Sequence, residues 1–107
     1  MDEYIVVLIT APSKKAGAEI ARALLEQRLA ACVNIVSPVE SLYVWKGEIH
    51  DDEEVLLIAK TKRAIFEEEL VPAVRAIHPY EIPEIIALPI VVGSRQYLDW
   101  IDAEVAD

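Results

Sequence analysis

Apolar and polar residues alternate in short blocks along this chain, and the block lengths predict its elements. Tyr4-Ile5-Val6-Val7-Leu8-Ile9-Thr10 is rich in β-branched residues and too short for a helix, which predicts a strand. Pro12 breaks that strand, and Ser13 can cap a helix over residues 14–29. There Ala16, Ile20, Ala23 and Leu24 recur on one face, and Gly17 lowers helix propensity by up to about 1 kcal/mol. A second strand starts near Ala31 with Cys32-Val33-Asn34-Ile35-Val36, breaks at Ser37-Pro38 and resumes at Ser41-Leu42-Tyr43-Val44-Trp45. Lys46-Gly47 predicts a turn, with a third strand returning from Glu48 to about Thr61.

Centring the hairpin on that turn pairs Trp45 with Glu48, Tyr43 with His50, Ile35 with Ile58 and Val33 with Lys60, subject to a bulge at Pro38. Arms of about 14 residues at ~3.3 Å each reach roughly 45 Å, more than the width of a small domain. A second helix is expected over residues 63–77, with Phe66, Leu70, Ala73, Val74 and Ile77 on one face. Pro72 should kink it or begin a new segment. His78-Pro79-Tyr80-Glu81-Ile82-Pro83 then reads as a stiff turn, because each proline also biases its predecessor towards extended geometry. Glu84 to Val92 predicts a fourth strand, with Pro89 at an edge or end position. Ser94 can cap a last short helix carrying Leu98, Trp100 and Ile101.

Strand, helix, strand, strand, helix, strand and a small helix, joined by right-handed crossovers, predict an α+β fold. This is the ferredoxin-like (split βαβ) sandwich, with an extended hairpin between its second and third strands and a short C-terminal helix. A sheet with one wet face should alternate, yet Tyr4–Ile9, Val55–Ala59 and Ile85–Val92 are nearly unbroken apolar runs. Both faces should therefore be covered. One chain's helices can cover only one, so the other face and the long hairpin are expected to pack against copies of the same chain.

Composition sharpens this picture. With 107 residues, 54% of them hydrophobic, the chain is sized for one domain with a real core. No apolar stretch approaches the roughly 20 residues that span a bilayer, and the start Met1-Asp2-Glu3 is acidic where a secretory signal is basic. A cytoplasmic location without membrane contact is expected. The net charge is −9, and residues 48–107 carry fourteen acids against five bases. Such a surface repels phosphate backbones, so nucleic acid is not an expected partner, whereas cations are mildly favoured. A single cysteine excludes an intramolecular disulfide and a Cys-only zinc cluster.

Few residues bear chemistry. Cys32 enters an apolar strand and reads as a buried small hydrophobe. No Gly-x-Ser-x-Gly, Gly-rich phosphate loop or His-Glu-x-x-His is present, so no enzyme activity is expected. His50 with Asp52 can form a weak surface cation site, although a strand edge protected by charge explains Asp51-Asp52-Glu53-Glu54 as well. His78 lies between a helix end and two prolines, with Glu81 and Glu84 following. Imidazole beside carboxylate suits Cu(II), Ni(II) or Zn(II), and a histidine stabilising a helix C-terminus is the alternative. Tyr43, Trp45 and Tyr80 could line a cleft or a subunit contact.

Thr10-Ala11-Pro12, Leu29-Ala30-Ala31-Cys32-Val33-Asn34, Ser41-Leu42-Tyr43-Val44-Trp45-Lys46-Gly47 and Glu54-Val55 with Lys60-Thr61 stand in a distinctive order. His78-Pro79-Tyr80-Glu81-Ile82-Pro83-Glu84-Ile85 and Tyr97-Leu98-Asp99-Trp100-Ile101 complete it. In this order the sequence resembles the CutA proteins, the divalent-cation-tolerance family. The resemblance implies that residues 1–107 form a single CutA-like domain and assemble as a PII-like homotrimer in the cytoplasm. It implies that the trimer binds Cu(II) or a similar divalent ion and needs no cofactor. Members credited with copper binding carry a cysteine before Thr-Ala-Pro and a histidine pair before Pro-Tyr, where this chain has Ile9 and Ile77-His78. His78 and Glu84 are thus the expected metal ligands, held weakly. The second reading, by analogy with PII trimers, is a signalling or scaffold module. It would bind a small molecule or protein in clefts between subunits, walled by Tyr43, Trp45, Lys60 and Tyr80. An acylphosphatase of the same topology would need a Gly and Arg phosphate cradle, which Thr10-Ala11-Pro12-Ser13 does not supply.

Overall fold

The computed structural model describes residues 3–106. Strand β1 (Tyr4–Ala11) is followed by α1 (Lys14–Glu26), then by the hairpin of β2 (Cys32–Trp45) and β3 (Glu48–Lys62). After a short 3-10 turn at Arg63–Ile65 and a wide π-type turn at Phe66–Leu70 come α2 (Val71–Ile77), β4 (Ile85–Pro89) and α3 (Arg95–Glu104). The strands form one sheet in the order β2-β3-β1-β4, with every neighbouring pair antiparallel. This is the split βαβ arrangement that the element order predicts.

Ser13 caps α1 as expected, its Oγ accepting the Ala16 N–H at 3.1 Å. The helix stops at Glu26, three residues short of the expected end, because Arg28 turns the chain into the left-handed region at φ 58°. That turn is useful. The Arg28 guanidinium donates to the Ala103 and Glu104 carbonyls, each at 3.1 Å, and its own carbonyl accepts the Ala106 N–H at 2.8 Å. The open end of α3 is thereby tied to the end of α1. The second helix is broken where Pro72 stands near the start of α2. Proline gives no N–H to the carbonyl four residues back, and the Val71 N–H instead reaches five back to Phe66.

At the hairpin turn the pairing is as expected, with Trp45 opposite Glu48 and Tyr43 opposite His50. Nearer the base it shifts by one: Ile35 faces Leu57 and Val33 faces Ala59. Ser37 and Pro38 lie opposite the single residue Val55 between the Val36–Leu56 and Val39–Glu54 pairs, a two-for-one bulge. Beyond the bulge the hairpin extends out of the body, and the longest dimension of the chain is 44 Å. β4 ends at Pro89 rather than Val92, and only the Ile90 N–H, bonded to the Tyr4 carbonyl at 3.0 Å, continues the pairing.

The core lies between the helices and one face of the sheet. Ile5, Val7, Ile9 and Ala11 of β1 are buried there with Leu57 and Ala59 of β3, Ile20 and Leu24 of α1, Val74 of α2 and Ile101 of α3. On the opposite face Leu8 lies between Ile58 and Ile86, and Val6 pairs with Leu88, with no helix over them. Ile86 and Leu88 are 51% and 52% exposed. Among the described residues no helix is long and apolar enough to cross a membrane.

Gly17 sits where α1 comes closest to the sheet: a Cβ added there would lie 2.9 Å from Val55 Cγ2 and 3.2 Å from Leu57 Cδ2. Val55 is β-branched and has little rotameric room to give way. Gly17→Ala is therefore expected to destabilise the fold by about 1–3 kcal/mol, although alanine is the better helix former. Urea unfolding of the two proteins checks this, and a more stable variant would contradict it.

Candidate functional site

The outer ends of β1 and of the β2–β3 hairpin meet the turn between α2 and β4. That turn is pinned by His78, which is buried at the C-terminus of α2. Its Nε2 donates to the Thr10 carbonyl at 2.8 Å, and its Nδ1 accepts the Tyr80 N–H at 3.1 Å. A carbonyl facing one nitrogen and an N–H facing the other assign the neutral Nε2–H tautomer. Both ring positions are thus engaged, and a metal would have to displace one of the partners to use this ring. The helix-end histidine foreseen as the alternative describes its place, but its bonds serve the turn and β1.

Pinning the turn places Tyr80 beside the hairpin. Its hydroxyl donates to Glu54 Oε2 at 2.5 Å, and its ring meets the His78 ring at 4.8 Å, tilted by 53°. Glu54 is only 6% exposed. One strand position pair further out, the Tyr43 hydroxyl donates to Asp52, while the Tyr43 ring stacks on His50 at 5.3 Å. Thr10, Ser41, Leu42, Tyr43, Glu54 and Tyr80, with Ile82 and Glu84 of the turn, line an open cavity of about 350 Å³. No Lys, Arg or His is in its wall.

Burial, followed by the hydrogen bond and charge of Glu54, raises the Tyr80 phenol well above its ordinary range. Tyr43 is raised too, chiefly by its hydrogen bond to Asp52. Both phenols therefore stay protonated as donors to carboxylates near neutral pH.

Of the residues singled out in the sequence, Tyr43, Tyr80 and Glu84 come together at this cavity. Trp45 and Lys60 do not join them. Trp45 is half-buried at the hairpin turn with the Lys46 Nζ 5.6 Å from its ring centre. Lys60 lies six residues along β3 from Glu54, or roughly 20 Å away at strand spacing. Its ammonium contacts Asn34 Oδ1, with Cys32 Sγ at 3.9 Å. Cys32 is half-buried rather than buried. Among the described residues no three His, Cys, Asp or Glu side chains stand close enough to hold a metal ion together. Glu54 was concealed within an acidic run that reads as solvated edge. The available signal was its position immediately before the apolar stretch Val55–Ala59, where a strand enters the core.

The family model described as CutA1 divalent ion tolerance protein matches residues 5–104. A curated relative, the divalent-cation tolerance protein CutA of Thermus thermophilus, is 54% identical over 96 residues, covering 90% of this chain and 92% of its own. Protein CutA of Homo sapiens is 48% identical over 97 residues, which cover 87% of this chain but 51% of the human protein. This chain thus spans about half the length of that relative, as it does of the chloroplastic CutA of Arabidopsis thaliana. Among solved structures, the Thermus thermophilus protein superposes with TM-score 0.93 at 50% identity, covering 96% of this chain and 99% of that one. CutA1 from Oryza sativa gives 0.94 at 43%, covering 98% and 95%.

A phenol whose folded pKa is raised favours the neutral form in the native state. Its contribution to stability is complete below about pH 10, the unfolded tyrosine value, and is lost as pH rises above it. Thermal melts of the parent protein should fall more steeply above about pH 10 than those of Tyr80→Phe. Parallel curves would show that Tyr80 gains nothing from its place against Glu54.

Proposed function

This chain belongs to the CutA1 family of divalent ion tolerance proteins, and on that premise we propose that it is a cytoplasmic homotrimer that takes up Cu(II) and related divalent ions weakly. The observation that carries the reading is the uncovered apolar face of the sheet. Val6, Leu8, Ile58, Ile86 and Leu88 present a continuous apolar surface, and on the other side of the projecting hairpin Val44 and Ile49 are 69% and 79% exposed. At about 25 cal/mol per Å², covering such a surface drives association of copies. Weak rather than tight metal binding follows from the ligands. Glu84 is exposed and free to coordinate, whereas His78 joins only by releasing the Thr10 carbonyl or the Tyr80 amide. An open, carboxylate-led hold rather than a closed cage is the mode this reading requires. The role is binding, not catalysis: His78 is no free base, and Cys32 neighbours an ammonium rather than an imidazole.

Native mass spectrometry is expected at three times the 12.0 kDa chain mass, falling to one chain in Ile86→Glu, which places a charge on the apolar face. A single-chain mass for the parent protein would overturn the trimer. In calorimetry Cu(II) should bind no tighter than about micromolar, near −8 kcal/mol, and be weakened in Glu84→Gln. Nanomolar binding, or an unchanged titration in that variant, would overturn the metal reading.

A further inference from the structure

From the cavity behind Tyr43 and Tyr80, we infer a binding site for a small organic cation, an ammonium or guanidinium head on a short chain, with Glu54 as its counter-charge. Three observations converge. Glu54 is a carboxylate more than nine-tenths buried, and no cation answers it: the described residues offer it no salt bridge, and the cavity wall contains no basic side chain. Among the described residues its hydrogen-bond partner is the Tyr80 hydroxyl on Oε2, and Glu54 itself lines the cavity. A buried carboxylate of this kind is costly unless a cation or further donors complete it.

The size and lining of the cavity suit an organic cation. Its volume of about 350 Å³ is that of a small-molecule pocket, within the usual range of roughly 300–1,000 Å³. A closed divalent-ion cage needs several oxygens at about 2.0–2.6 Å, and among the described residues no three His, Cys, Asp or Glu side chains stand together. The wall instead supplies two tyrosine rings, apolar Leu42 and Ile82, the hydroxyls of Thr10 and Ser41, and Glu84 at the turn. Ring faces attract ammonium and guanidinium groups, the apolar side chains take a short hydrocarbon body, and the hydroxyls accept remaining N–H donors. His78, by pinning the turn, holds Tyr80 in place and is a positioning residue. This site adjoins the Cu(II) ligands Glu84 and His78, and Glu54 is the residue that belongs to it alone.

The test uses n-butylammonium and n-butylguanidinium chlorides against n-butanol and sodium chloride at equal ionic strength. Thermal shift and amide NMR are read on the protein in its native assembly. The two cations should raise the melting temperature in a saturable manner and shift the amides of Thr10, Tyr43 and Tyr80, while butanol and sodium chloride should not. Glu54→Gln keeps an acceptor for the Tyr80 hydroxyl but removes the charge, and should weaken the cations by about tenfold or more. It should leave Cu(II) uptake unchanged, so the two readings fail separately. Should that variant not fold, the map of amide shifts in the parent protein decides. Equal responses to butanol, shifts mapping elsewhere, or binding unchanged in Glu54→Gln would overturn the site. So would cations that bind only the dissociated Ile86→Glu chain, because a neighbouring copy would then already fill the cavity.

Discussion

A four-stranded sheet has two faces, and two short crossover helices can cover only one. In this chain the covered face takes alternate residues of β1 to near-complete burial, while the intervening residues are as apolar as those beneath the helices. The hydrophobic effect is indifferent to which atoms do the covering, so the second face calls for apolar surface of the same extent. The remaining features follow from that asymmetry. Acidic residues are gathered in the second part of the chain, and the hairpin extends beyond the body of the sheet.

Within one chain, the local chemistry depends on a histidine used for its two hydrogen bonds. His78 joins the end of β1 to the turn before β4, and this brings a phenol onto a carboxylate of the hairpin. Three segments far apart in sequence thus meet at one short chain of polar contacts. Buried networks of this kind are stiff when satisfied, because each member loses more by release than a solvated group would. Here the network ends on Glu54, with no basic side chain beside it in the cavity wall.

The elements of the fold were readable because each is a local pattern: β-branched runs for the strands, Ser13 and Ser94 as caps, Lys46-Gly47 as a turn, Pro72 as a break. The base register of the hairpin differs by one residue because the bulge, allowed for at Pro38, adds its residue to β2 alone. The site was less legible. His78 stood out, but its partner carbonyl lies 68 residues away, and no spacing rule connects the two. Lys60 and Trp45 share strands with the cavity residues yet fall at other heights along them. Glu54 looked like its neighbours because a run of acids conceals which member turns inward.

The bulge at Ser37–Pro38 divides the hairpin into two independent rulers. Inside it, even-numbered residues of β2 share the open face; outside it, odd-numbered ones do, so that Tyr43 and Val36 lie on the same side. The body of the sheet and the projecting arm are therefore free to vary in length separately during descent. Two residues added to each arm near Lys46-Gly47 would lengthen the projection by about 7 Å and leave Tyr43, Asp52 and Glu54 facing as they do now. A single residue lost inside the arm would instead turn every side chain beyond it to the opposite side. Natural length variation among relatives should accordingly fall at the tip in even steps, with the bulge acting as the fixed mark from which the arm is measured.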